Sequence, residues 1–143
     1  MKMTKAQDRR DSLEEQNVII AAGDPSPRNH EQEAENWRLA RIRELNDRLR
    51  TTGRGGMVVM TNGIGALGLG TVNAIFTAVV KFTGFNPDND PWGEHDCAVL
   101  TVDGIRIIWK IDYLDRSRRI HSPDPTDPKV TVRVLTVMLA EEY

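Results

Sequence analysis

Ala98-Val99-Leu100-Thr101-Val102-Asp103-Gly104-Ile105-Arg106-Ile107-Ile108-Trp109 decides how this chain folds. Two apolar, β-branched runs flank an Asp-Gly pair. This is the strongest short-range hairpin signal, because a type I′ turn needs positive φ at both central residues. Working outward from the turn, the hairpin's ends become polar. Asn86-Pro87-Asp88-Asn89-Asp90-Pro91-Trp92-Gly93-Glu94-His95-Asp96 leads in, and Lys110-Ile111-Asp112-Tyr113-Leu114-Asp115 leads out. A hairpin brings its outer ends together, so these distant residues can share one polar site.

The candidate catalytic residues are therefore Glu94, His95, Asp96, Lys110 and Asp112. Strand alternation puts Glu94 and Asp96 on one face and His95 on the other, and gives Lys110 and Asp112 a shared face. The candidate metal ligands are His95, Asp96, Asp112, Asp115 and His121. Carboxylates, a histidine and a lysine grouped in this way can bind a divalent metal and activate water. They can equally form a salt-bridge network that fixes the hairpin's end. The order acid, strand, strand, lysine is reminiscent of nucleases of the D…(D/E)-x-K type. That motif is broken here, because Ile108 stands two residues before Lys110.

Two other motifs fail on context. Gly63-Ile64-Gly65-Ala66-Leu67-Gly68 matches G-x-G-x-x-G between a strand and a helix. Beyond that helix the chain makes a hairpin, not a βαβ repeat, so a tight strand-to-helix turn is the better reading and no cofactor is expected. Asp88-Asn89-Asp90-Pro91-Trp92-Gly93 begins like a calcium loop, but the twelfth position is Val99 instead of an acid.

Around the hairpin the pattern predicts further elements. Glu31 to Arg50 is helical, with Trp37, Ala40, Leu45 and Leu49 as its stripe and Ile42 beside it. Met57-Val58-Val59-Met60-Thr61 reads as a buried strand. Val72, Ile75, Phe76, Val79 and Val80 follow at helical spacing, and this helix should be the most buried one. After Asp127-Pro128, a cap and a first-turn proline, Val132, Leu135, Met138 and Leu139 suggest a closing helix. Val130-Thr131-Val132-Arg133-Val134 also alternates, so a strand is the alternative there. The order is then α-β-α-β-β-α. This is a two-layer α+β domain over residues 31–143, with a small, mostly antiparallel three-stranded sheet. Residues 1–30 read as a polar tail, loose or docked by Val18-Ile19-Ile20-Ala21-Ala22.

Composition narrows the function classes. Formal net charge is -2, with 39% hydrophobic and 28% charged residues, an ordinary globular balance. Nothing in it drives binding to nucleic acid. Cys97 is the one cysteine, so no intrachain disulfide forms, which fits the cytoplasm. It reads as a small buried hydrophobe, not a catalytic thiol. No signal peptide is legible, and no apolar run approaches the ~18 residues of a membrane span.

The hairpin's surroundings resemble an uncharacterised bacterial family, domain of unknown function 3768. The resemblance is carried by Asn89 to Asp96, Trp109 to Tyr113, Ser122-Pro123-Asp124-Pro125 and Arg133-Val134-Leu135-Thr136. Ile42 to Asp47, Met138-Leu139-Ala140 and Glu142-Tyr143 match as well, so it runs over about residues 38 to 143. It implies small alphaproteobacterial relatives, often encoded on plasmids and other mobile elements, and carries over no activity. The expectation is a small cytoplasmic binding or regulatory protein, an inhibitor or adaptor whose partner is another protein. A homo-oligomer fits as well. The alternative is a metal-dependent hydrolase or nuclease using the Glu94-His95-Asp96 and Lys110-Asp112 cluster.

Overall fold

The structure, a computed structural model, describes residues 27–143, so the Val18–Ala22 patch lies outside it. The chain divides into two units at Asn36 and Trp37. Of the first, the described residues are exposed helical turns, with Gln32 Nε2 donating to Asn36 Oδ1 at 3.1 Å. The second holds the core.

Among the described residues the elements are α1 (Pro27–Thr52), β1 (Met57–Met60), α2 (Asn62–Gly65), α3 (Leu69–Lys81), β2 (Cys97–Val102), β3 (Ile105–Leu114) and β4 (Val132–Leu139). A 3-10 turn, Ala140–Glu142, closes the chain. The Asp-Gly turn forms as read: Asp103 and Gly104 have φ of 51° and 78°, and Val102 pairs with Ile105. No atom lies within 4 Å of where a Gly104 Cβ would stand, so a side chain there meets only backbone strain. Gly104→Val is therefore expected to cost about 1–3 kcal/mol in urea unfolding. An unchanged midpoint would contradict that.

The α+β class holds, but the sheet is larger and mixed. Its order is β1-β4-β3-β2, with β1 parallel to β4 and the other pairs antiparallel. The expected closing helix is β4, the strand alternative. Its cap chemistry serves turns instead: Asp127 Oδ1 accepts from the Lys129 N–H at 2.9 Å. Alternation then wins, because β4 sits between β1 and β3 and buries Arg133, Leu135 and Val137 on one face.

The core lies between that face and the helices. Ile107, Trp109, Ile111 and Tyr113 of β3 meet Ile42 and Leu49 of α1, Ile64 of α2, and Ile75 and Val79 of α3. The intervening β3 residues, Ile108, Lys110 and Asp112, fall on the other face. α3 shares the burial with α1, a helix twice its length. It fully buries Ile75 and Val79, and α1 buries Ile42, Leu45, Asn46, Leu49 and Arg50. Trp37, expected on the stripe, is 61% exposed.

Candidate functional site

The hairpin's base does gather polar residues, but it divides them between bonds that hold the fold and an open cleft. Glu94, His95 and Asp96 lie just before β2, not within it, and His95 has φ of 57°. That left-handed residue breaks the alternation on which the face assignment rested. Asp90, 7% exposed, holds the kink by accepting from the N–H groups of Glu94 at 3.0 Å and His95 at 3.2 Å.

His95 consequently turns toward α1. Its Nδ1 donates to Asp47 Oδ1 at 2.9 Å, since an ionised carboxylate only accepts. Its ring stacks on Phe85, with centroids 3.8 Å apart and planes 4° from parallel. Asp47 also accepts from Arg50 Nη2 at 3.0 Å. Arg50 Nη1 in turn donates to the carbonyls of Val79, Val80 and Phe82 at 3.0–3.1 Å, closing the C-terminal end of α3.

Glu94 joins a second buried chain. Its Oε1 accepts from the Tyr113 hydroxyl at 2.6 Å. Burial, then that bond to Glu94, pushes the Tyr113 phenol far up, so it stays neutral. Asn46 Nδ2 donates to Tyr113 Oη at 2.7 Å and to the Glu94 carbonyl at 3.0 Å, while its Oδ1 accepts from Arg133 Nε at 2.8 Å. The Arg133 guanidinium lies 5.0 Å from the Tyr113 ring centre, and burial lowers its pKa.

Asp96, Lys110 and Asp112 lie on the cleft side. Lys110 Nζ donates to Asp112 Oδ2. All three line an open cleft of about 520 Å³ with Asp88, Cys97 and Val99. Asp96 and Asp112 also border a hollow of about 340 Å³ that reaches His121. Burial first, then the charge of Glu94, raises the Asp96 pKa, with Asp90 and Asp112 adding to it. Burial and Asp96 likewise push the Cys97 thiol up, away from nucleophilic thiolate chemistry.

The remaining candidates stand apart. Asp115 caps its own loop, accepting from Ser117 Oγ at 2.8 Å and the Arg119 N–H at 3.1 Å, and its pKa falls with the Ser117 bond first. His121 is exposed and lies edge-on to Tyr113 at 6.1 Å. Among the described residues, no group of three or more His, Cys, Asp or Glu is placed to hold a metal ion. In the glycine-rich segment the Gly63 N–H donates to Glu142 Oε2 at 3.2 Å, and a Gly63 Cβ would stand 2.5 Å from that oxygen. The glycine there admits the chain's own carboxylate.

Sequence reasoning missed Asn46, Asp47, Arg50, Asp90, Tyr113 and Arg133. A signal existed for two of them. Ile42, Leu45, Asn46, Leu49 and Arg50 fall at i, i+3, i+4, i+7 and i+8, so Asn46 and Arg50 are polar residues inside an apolar stripe.

The fold and site define an α+β domain whose hairpin is bolted to α1 by buried polar bonds and opens a charged cleft beyond it. The chain belongs to the family described as "Protein of unknown function (DUF3768)", which matches residues 60–142. That span begins at the end of β1, later than the residue 38 from which the sequence resemblance runs. No curated protein and no solved structure matches the chain. No helix of the described residues is long and apolar enough to cross a membrane.

Proposed function

We propose that this is a non-catalytic protein-binding domain, an inhibitor or adaptor of the bacterial cytoplasm. Its docking site is the cleft side of β2 and β3. One observation carries this reading: the polar residues of the hairpin's base are spent on holding the fold, except those lining an open cleft. Glu94 and His95 are engaged by Tyr113 and Asp47, whereas Asp96, Lys110 and Asp112 border the cleft beside Val99, which is 49% exposed. Asp88, Asp96 and Asp112 outnumber Lys110 there, so the partner presents apolar and basic side chains. The link to mobile elements rests on the family resemblance.

The test is capture from the native host followed by mass spectrometry, with wild type and Val99→Asp side by side. A partner captured by wild type and lost with folded Val99→Asp supports the reading. Capture that ignores Val99→Asp removes it. A saturable thermal shift with Mn²⁺ that Asp96→Asn abolishes would favour the hydrolase instead.

Asp96 gives a pH prediction. A carboxyl whose folded pKa is raised favours the folded state when protonated, and that contribution fades as pH rises through the folded pKa. Asp96→Asn should therefore match wild type in strong acid and become the more stable of the two as pH rises through that raised value. It should at the same time weaken the partner. Melting temperatures of both proteins across pH 3–8 check it. Equal curves throughout would count against a strained Asp96.

A further inference from the structure

We infer that the outer edge of β1 is a self-association surface, on which two copies pair β1 to β1, antiparallel, about a two-fold axis. Among the described residues β1 has β4 on one side and no strand on the other. The Thr61 N–H donates to the Val137 carbonyl at 3.1 Å, so alternation turns the peptide groups of Met57, Val59 and Thr61 toward β4. Those of Val58 and Met60 face outward, with no strand among the described residues to pair with. The side chains around them are apolar and open, with Met57 37%, Val58 41% and Met60 48% exposed. β1 itself carries no lysine and no proline, two devices that keep an edge from pairing.

The charges at its two ends select a second copy. At the start of β1, Arg118 Nη1 lies 3.4 Å from Met57 Sδ, and Arg54 precedes the strand. At its end, Glu142 Oε1 accepts from Thr61 Oγ1 at 2.6 Å. Antiparallel pairing sets each start against the other end. With Val58 opposite Met60 of the partner subunit, Val59 lies on the axis and Met57 faces Thr61 of the partner subunit. Arg118 then meets Glu142 of the partner subunit, and symmetry makes that pair twice. The opposite edge behaves differently. β2 is flanked by Asp96 and Asp103, so the same operation there would oppose like charges.

Sedimentation of the full chain tests this. The expected result is a reversible dimer that weakens with added salt. Val58→Lys should make it monomeric with an unchanged circular dichroism spectrum, and Arg118→Glu should raise its Kd about tenfold or more. In a Cys97→Ser background, Val59→Cys should cross-link on oxidation, because facing residues on the axis meet disulfide geometry, and Val58→Cys should not. A monomer at every concentration overturns the inference. So does a dimer indifferent to Val58→Lys and Arg118→Glu, or one whose Val59→Cys form does not cross-link. Val99 lies on β2, at the opposite edge of the sheet, so Val99→Asp leaves the dimer intact and either reading can fail alone.

Discussion

Asn46→Leu is expected to destabilise the domain by about 4 kcal/mol, read as a fall in urea midpoint with an unchanged slope. Asn46 is fully buried, and from α1 it bonds β3, β4 and the segment before β2. Its amide donates to the Tyr113 hydroxyl and the Glu94 carbonyl, and its oxygen accepts from the Arg133 guanidinium. Leucine is close in volume, so the loss comes from stranded polar groups and not from a cavity. An unpaired buried neutral group costs about 1–3 kcal/mol, and a charged one more. Arg133 is 2% exposed and keeps only the Pro125 carbonyl and the Tyr113 ring. A change below about 1 kcal/mol would mean the network is dispensable.

Arg50→Leu is the second large effect, about 2–4 kcal/mol, because it strands backbone carbonyls that only the guanidinium reaches. Arg50 is 6% exposed and sits over the rings of Phe85 and Trp109 at 5.4 and 5.5 Å. Leucine leaves the Val80 and Phe82 carbonyls without the Arg50 donor, weakens the hold on Val79, whose carbonyl keeps the Phe82 N–H, and frees Asp47 from its cation. Arg50→Lys removes the buried Nε that has no partner, but an ammonium on a flexible stem cannot reproduce the planar fork. It should recover less than half of the loss in guanidinium unfolding. Full recovery by lysine would show that charge, not geometry, is what α3 needs.

Local chemistry made the hairpin legible. Asp103-Gly104 permits few turns, and the strands on either side repeat with period two. β4 was ambiguous because its signals conflict. Asp127-Pro128 starts helices and turns alike, and only the pairing with β1 and β3 decides between them. The candidate site was partly legible. Asp96, Lys110 and Asp112 do share a cleft, as the hairpin's ends implied. The position of His95 was not readable, because a single residue at positive φ turns it to Asp47, on a helix far away in sequence. Asn46 and Arg50 stand on the apolar stripe of α1, where only a close reading of its spacing marks them.

The central place of β4 has a consequence for synthesis. The β2–β3 hairpin is local and can zip up as soon as it leaves the ribosome. β1 is made earlier but cannot join until β4 has been made, because it touches the sheet through β4 alone. During that interval the nascent chain shows the bare flank of β3 and an orphaned Met57–Met60 segment, and both can pair with a neighbour on the same messenger.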